Sequence, residues 1–231
     1  MNAKSDLKKY TTMKAFSLEN DNRDPKNIWS LRNPHGFYTN YKLTKEIIKA
    51  INACDVSLTG KHILDLGSGK GHKLRWLKEI GGPSGTYVGI ELLEERVSIS
   101  KAMNPSIKCI QADMLAAAKI LPQERFEIIF ESVSFMELTD DEIKEMFKGV
   151  ATLQQPSDHM IIHDVLRSSN KSNYLNLKKI KSLAPDYSVI YWKTFFNPLI
   201  PWLARFNCAV AEFSDYFLPH IHMLAVLKRN K

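Results

Sequence analysis

Three cysteines in 231 residues, Cys54, Cys109 and Cys208, are odd in number, widely scattered and without metal-ligand spacing. They suggest neither a disulfide framework nor a cysteine metal centre, and buried reduced thiols with no assigned chemistry are expected. No apolar run approaches the roughly 18 residues needed to cross a bilayer. The opening Met1-Asn2-Ala3-Lys4-Ser5-Asp6 has no apolar stretch of the kind that directs secretion. Both absences point to a cytoplasmic protein. A dense basic run interleaved with aromatics is also missing, so nucleic acid is not the favoured partner despite a net charge of +7.

That charge is unevenly placed. Residues 1–80 hold fifteen Lys/Arg against eight Asp/Glu, whereas residues 81–231 hold seventeen of each. An excess so concentrated suits an anionic partner, whether nucleic acid, a nucleotide-linked sugar or a phospholipid surface touched peripherally; solubilising lysines on exposed helix faces explain it more simply. With 44% hydrophobic residues the chain can bury a full core. One domain over residues 29–231 is expected, preceded by a polar, weakly patterned arm over 1–28 that is loose or helical.

The most informative segment is Ile63-Leu64-Asp65-Leu66-Gly67-Ser68-Gly69-Lys70-Gly71. Its apolar residues make a short buried strand, its glycines a turn whose backbone can approach a ligand closely, and His72 onward a helix whose first amides face that turn. A dinucleotide fingerprint would read G-x-G-x-x-G, but here the spacing is G-x-G-x-G, with His72 where the last glycine would fall. Asp65 would repel a pyrophosphate and accept hydrogen bonds from a cation. The turn therefore suits a cationic or amine-bearing nucleotide-like ligand.

Two further β-rich runs end in acids. Thr86-Tyr87-Val88-Gly89-Ile90-Glu91 places Glu91 26 residues after Asp65, and Ile107-Lys108-Cys109-Ile110-Gln111-Ala112-Asp113-Met114 places Asp113 22 residues after Glu91. Each interval is about one strand-helix-strand unit, so the acids fall at successive strand ends and converge in the crevice of an open parallel sheet.

These residues resemble the class I S-adenosylmethionine-dependent methyltransferases, whose first motif reads (D/E)-x-G-x-G-x-G. The resemblance implies an α/β fold: a Rossmann-like, doubly wound, seven-stranded sheet, mostly parallel with an antiparallel edge strand. It implies S-adenosyl-L-methionine as cofactor, held by Asp65, Gly67, Ser68, Gly69, Gly71, Glu91, Leu92, Asp113, Met114 and Glu131, with Glu91 accepting both ribose hydroxyls and Asp113 at the adenine amino group. Arg32-Asn33-Pro34, Leu92-Leu93-Glu94-Glu95-Arg96-Val97 and Leu224-Ala225-Val226-Leu227-Lys228-Arg229 extend the likeness to small bacterial methyltransferases of the polysaccharide or secondary-metabolite type.

Strands four, Phe126–Phe130, and five, His159–Val165, flank a helix over Asp140–Leu153; strands six and seven are expected near 188–192 and 220–227. Methyl transfer needs in-line approach of the nucleophile, with a base where the nucleophile carries a proton. Glu131, Ser132 and Glu137 follow strand four, and His163 with Asp164 closes strand five. His163 and Glu131 are the catalytic candidates, His163 having the intrinsic pKa of a base near neutrality. Glu131 alternatively lines the methionine end of the cofactor, and His163 alternatively is a hydrogen-bonded structural residue. Glu131-Ser132-Val133-Ser134 is not the Asn/Asp-Pro-Pro-Tyr/Phe sequence of adenine-nitrogen methyltransferases, which disfavours an exocyclic base amine as acceptor.

Residues 28–41 read as a turn-rich aromatic stretch, and Tyr191–Phe206 as an aromatic connection between strands six and seven. With Trp29 and Tyr38 the latter would roof the acceptor side, or else pack as ordinary core. The favoured function is methyl transfer to oxygen or nitrogen of a small molecule or a glycan- or lipid-linked precursor. An RNA methyltransferase and a cofactor-binding protein without catalysis are the alternatives.

Overall fold

The computed structural model describes residues 33–166, 175–197, 199–200, 203 and 208–230. The arm expected over 1–28, Trp29, Arg32, Trp202 and Phe206 lie outside these. The chain divides into two compact units: one is Ala50–Lys193 with His222–Lys231, the other the described part of Met1–Lys49 with Thr194–Ile221.

The larger unit is built on a seven-stranded sheet of order β3-β2-β1-β4-β5-β7-β6. Its strands are β1 (His62–Leu66), β2 (Thr86–Glu91), β3 (Lys108–Gln111), β4 (Ile128–Ser132), β5 (His159–Val165), β6 (Tyr187–Phe195) and β7 (His222–Arg229). β1 pairs in parallel with both β2 and β4, β2 with β3, and β4 with β5. β7 runs antiparallel to β5. This is the Rossmann-like architecture expected from the sequence, mostly parallel with an antiparallel pair toward one edge. Central strands are buried on both faces, which is why β1 and β4 read as nearly unbroken apolar runs in which Asp65 and Glu131 stand out.

Helix α1 (Pro34–Ala53) opens the described chain; α2 (His72–Gly81), α3 (Glu94–Met103), the single turn α4 (Ala117–Ile120), α5 (Asp140–Ala151) and α6 (Leu177–Leu183) connect the strands, and α7 (Cys208–Asp215) precedes β7. α5 starts where Thr139 and Glu142 exchange side-chain-to-backbone hydrogen bonds in a capping box, and buries Ile143, Met146, Phe147 and Val150 against the core. Phe147 packs edge-on to Phe135 at 5.8 Å, which anchors the turn after β4. Strand order reverses between β1 and β4, so the crevice forms beyond their C-terminal ends, where Gly67–Gly71 and Val133–Glu137 lie.

Two sequence readings change. Residues 34–41 are the start of a helix, not a turn-rich stretch: Pro34 suits a first helical turn, where its missing N–H costs nothing, and Asn33 O accepts from Phe37 N at 2.9 Å. Tyr191–Phe195, expected in a connection, continue β6, in keeping with the strand preference of aromatic and β-branched side chains. Among the described residues no helix is long and apolar enough to cross a membrane.

Candidate active site

The glycine turn is held from behind. Ser68 N donates to Ile90 O and Gly71 N to Ser68 O, both at 2.9 Å, while Gly69 N donates to Glu91 Oε2 at 2.8 Å. Gly67 has φ +69°, and a Cβ there would lie 2.1 Å from Ser134 Oγ, so glycine is required both by the backbone and by the close approach of the β4 turn. Gly69 has φ +56°, and a Cβ there would meet nothing within 4 Å, so the space above it is open. Ser68 fits beneath because residue 89 is glycine; a Cβ at Gly89 would meet Ser68 Oγ at 2.6 Å. Ser68 Oγ is itself buried without a hydrogen-bond partner.

Asp65 and Glu91 are buried carboxylates on adjacent strands, 2% and 3% exposed. Burial, then the charge of Glu91, holds the Asp65 carboxyl well above its ordinary range, opposed in part by Lys73 on the first turn of α2. Burial brings the Lys73 ammonium down to about 8, with Asp65 acting against it. Glu91 ties both flanks of the crevice: Oε2 takes Gly69 N, and Oε1 takes Leu93 N at 2.9 Å. Asp113 stands two residues past β3, capping the short 3-10 turn Met114–Ala116 by accepting from Leu115 N at 2.9 Å. Leu92 and Met114 are half-buried at the same sheet edge.

Glu131 is wholly buried. Its Oε1 accepts from Ser134 N and from Phe135 N, closing the turn after β4. Asp164 Oδ1 accepts from Val165 N at 2.6 Å. Glu131 Oε2 and Asp164 Oδ2 are both buried without a hydrogen-bond partner. Burial raises both carboxyls, Glu131 well above its usual range with help from the charge of Asp164, and Asp164 to about 7. Burial thus favours the protonated form of both carboxyls.

His163 sits opposite Ser132 in the β4–β5 register, and its Nδ1 lies 2.8 Å from Ser132 Oγ. Its Nε2 lies 2.8 Å from Nδ1 of His222, with the two rings within 8° of parallel. Burial, then His222 and Lys73, hold the His163 pKa well below the ordinary value, so the ring is neutral. Sequence reading missed His222, which is 59 residues from His163 and reaches it only because β7 pairs back on β5, placing His222 against Val165. It also missed Lys73 and Ser134. The latter had a local signal, a small polar residue after a strand that faces a glycine turn.

Of the aromatic stretch, Trp192 packs against the core of the sheet. In the smaller unit, Leu199, Leu203, Phe213, Ser214, Phe217 and Leu218 line an apolar groove of about 420 Å³. Tyr38 is buried within α1.

Residues 63–157 match the family described as methyltransferase domain. No curated protein matches the chain in sequence. Solved structures share the fold, among them the following three. A protein from Galdieria sulphuraria assigned as a sarcosine dimethylglycine methyltransferase superposes with a TM-score of 0.62 at 14% identity, covering 85% of this chain and 87% of its own. An S-adenosylmethionine-dependent methyltransferase from Mesorhizobium loti gives 0.60 at 18% identity, covering 78% and 96%. Magnesium protoporphyrin IX methyltransferase from Synechocystis PCC 6803, with bound S-adenosylhomocysteine, gives 0.59 at 11% identity, covering 83% and 84%. These likenesses show the fold, and the family match places a methyltransferase domain over residues 63–157 of the chain.

Proposed function

We propose that the chain binds S-adenosyl-L-methionine at the glycine turn and transfers its methyl group to oxygen or nitrogen of a small molecule or of a glycan- or lipid-linked precursor. The observation that carries the reading is the pair of buried carboxylates, Asp65 and Glu91, on adjacent strands beside a glycine turn with open space above Gly69. Two buried acids, with Asp65 raised by burial first and by the charge of Glu91 second, form a site that favours a cation or a set of hydrogen-bond donors and rejects a pyrophosphate.

The residues fit the cofactor's groups. Glu91 has each oxygen occupied by one backbone amide and retains lone pairs for the ribose hydroxyls. Asp65 would meet the cofactor's amino group, and Asp113 with Met114 and Leu92 would border its adenine end. Glu131 acts at one remove, fixing the Val133–Phe135 turn that presses on Gly67. The bound cofactor supplies an electrophilic methyl on a sulfonium. The protein supplies orientation, and a route for the acceptor's proton where it has one.

Calorimetry with S-adenosylmethionine, S-adenosylhomocysteine and a nicotinamide dinucleotide tests this reading. Binding of the first two and not the third is expected, and dinucleotide binding with no response to the others would sink it. Label from methyl-tritiated S-adenosylmethionine should then appear in a small-metabolite extract; binding without any transfer would leave a cofactor-binding protein without catalysis.

A further inference from the structure

The contacts of Ser132, His163 and His222 run in one line across three strands. Ser132 is the last residue of β4, half-buried at the mouth of the crevice, immediately before the turn whose Ser134 presses on Gly67. His163 lies behind it with both ring nitrogens engaged, one by Ser132 and one by His222, at 2.8 Å each. At 2% exposure, His163 is too deep to meet an acceptor itself. Glu131 is deeper still, and its Oε1 is committed to the turn amides.

A neutral imidazole has one donor and one acceptor nitrogen, so the line has a direction. If Ser132 Oγ donates to His163 Nδ1, then His163 Nε2–H donates to His222 Nδ1, and the Ser132 oxygen keeps its lone pairs for a proton arriving from the crevice. We propose that Ser132 is the group that takes the acceptor's proton, that His163 and His222 are positioning residues that relay it into the sheet, and that the acceptor atom is therefore a hydroxyl oxygen. This rests on the methyl-transfer reading above.

The acceptor class follows from what such a line is good for. A carboxylate or thiolate has already lost its proton, and a neutral amine attacks with a free lone pair. An aliphatic or sugar hydroxyl keeps its proton at neutral pH, and a serine hydroxyl is its match in acidity, so little driving force is lost in handing the proton over. As the new O–CH3 bond forms, the S–CH3 bond breaks and its electron pair stays on sulfur as a neutral thioether. The acceptor's proton passes to Ser132 Oγ, the Ser132 proton to His163 Nδ1 and the His163 Nε2 proton to His222 Nδ1. His222, itself only 2% exposed, holds the proton until the product leaves, and the proton then returns along the same line and passes from Ser132 Oγ to water in the crevice, which restores the starting tautomers. Burial first, then the charges of His222 and of Lys73 from α2, disfavour a proton resting on His163, as suits a relay.

The test uses the full chain and its Ser132→Ala, Ser132→Thr and His222→Gln variants. Long-range proton–nitrogen spectra of the histidine rings, recorded with S-adenosylhomocysteine, should show His163 as the Nε2–H tautomer with Nδ1 accepting, and the Nδ1 signal should move in Ser132→Ala. His163 found as the Nδ1–H tautomer would overturn the relay. Label from methyl-tritiated S-adenosylmethionine, transferred into a small-metabolite extract, should be recovered in a neutral, alkali-stable ether; label in an ester, an amine or a thioether would overturn the hydroxyl assignment. Ser132→Ala should lower transfer about 100-fold or more, Ser132→Thr should retain most of it, and His222→Gln should change the pH–rate profile, all with S-adenosylhomocysteine affinity unchanged. Wild-type turnover in Ser132→Ala would refute the role. Failure of the wild type to bind S-adenosylhomocysteine would instead bring down the methyl-transfer reading and this proposal with it; with binding intact, an adverse tautomer or product falls on the relay alone.

Discussion

Glu91 Oε2 accepts the backbone N–H of Gly69 at 2.8 Å, so the acid assigned to the ribose also holds the glycine turn against β2. Glu91→Ala removes this bond and the one to Leu93 N together. Affinity for S-adenosylhomocysteine should fall by about 1 to 3 kcal/mol, roughly 5- to 150-fold in Kd, and thermal stability should fall with it. Calorimetry beside a melting curve checks both. An unchanged Kd would remove Glu91 from the ribose contact and leave it a structural tie.

Gly67 and Gly69 share left-handed backbone but not surroundings, and alanine should separate them. Gly69→Ala meets open space, so its cost is backbone strain of about 1 to 2 kcal/mol, with a larger effect on cofactor affinity because the added methyl enters the ligand's side of the turn. Gly67→Ala adds to the same strain a contact of 2.1 Å with Ser134 Oγ and should melt at a clearly lower temperature than Gly69→Ala. Equal melting temperatures for the two variants would mean that the β4 turn does not press on the glycine turn.

Asp65 gives a pH signature of definite sign. Burial first, and the charge of Glu91 second, raise its carboxyl in the folded protein. Above about pH 4 the unfolded chain has released this proton while the fold still holds it, so the unfolded state binds fewer protons and stability is lost as pH rises toward the folded pKa. Asp65→Asn removes that loss. Without cofactor, the variant should gain melting temperature relative to wild type as pH goes from 4 to 8, and it should lose the stabilisation that S-adenosylmethionine gives the wild type. A constant difference between the two across that range would contradict a raised Asp65.

The legible parts of this chain are those written in consecutive residues or in the repeat of the strand-helix-strand unit. Ile63–Gly71 shows its strand and turn because an apolar run stops at three closely spaced glycines, and Glu91 and Asp113 follow by interval. Pairings between distant segments left no such trace. His222 has no sequence signal toward His163, since their contact depends on β7 turning back along β5. Nor does composition reveal that Glu131 folds its own loop, or that Glu91 is a backbone tie as well as a strand-end acid. The aromatic stretch misled for a related reason: Tyr191 and Trp192 look like lid residues in isolation, but they continue a strand, and Trp192 packs on the core.

In the smaller unit, Lys42 Nζ lies 2.8 Å from Asp215 Oδ2, with side chains only 9% and 5% exposed. Asp215 also accepts Asn197 N through Oδ1 at 3.1 Å, so one carboxylate joins α1, α7 and the segment after β6. Phe196, with φ +68°, precedes that contact and holds an uncommon backbone conformation that its neighbours must enforce. Removing the cation alone leaves a buried carboxylate without its lysine, with His220 Nε2 at 3.7 Å from Oδ1 as the weaker partner that remains. Lys42→Met should therefore destabilise this unit by about 3 to 5 kcal/mol, while Lys42→Met combined with Asp215→Leu should recover much of the loss, because the desolvation cost disappears along with the attraction. By contrast, the half-exposed pair Lys45–Glu212, 2.7 Å apart, is worth about 1 kcal/mol at most, and Lys45→Met should be nearly silent. Hydrogen-exchange protection within 208–215 and chemical denaturation of the three variants distinguish these outcomes. A Lys42→Met protein as stable as Lys45→Met would show that the buried pair does not hold the unit together.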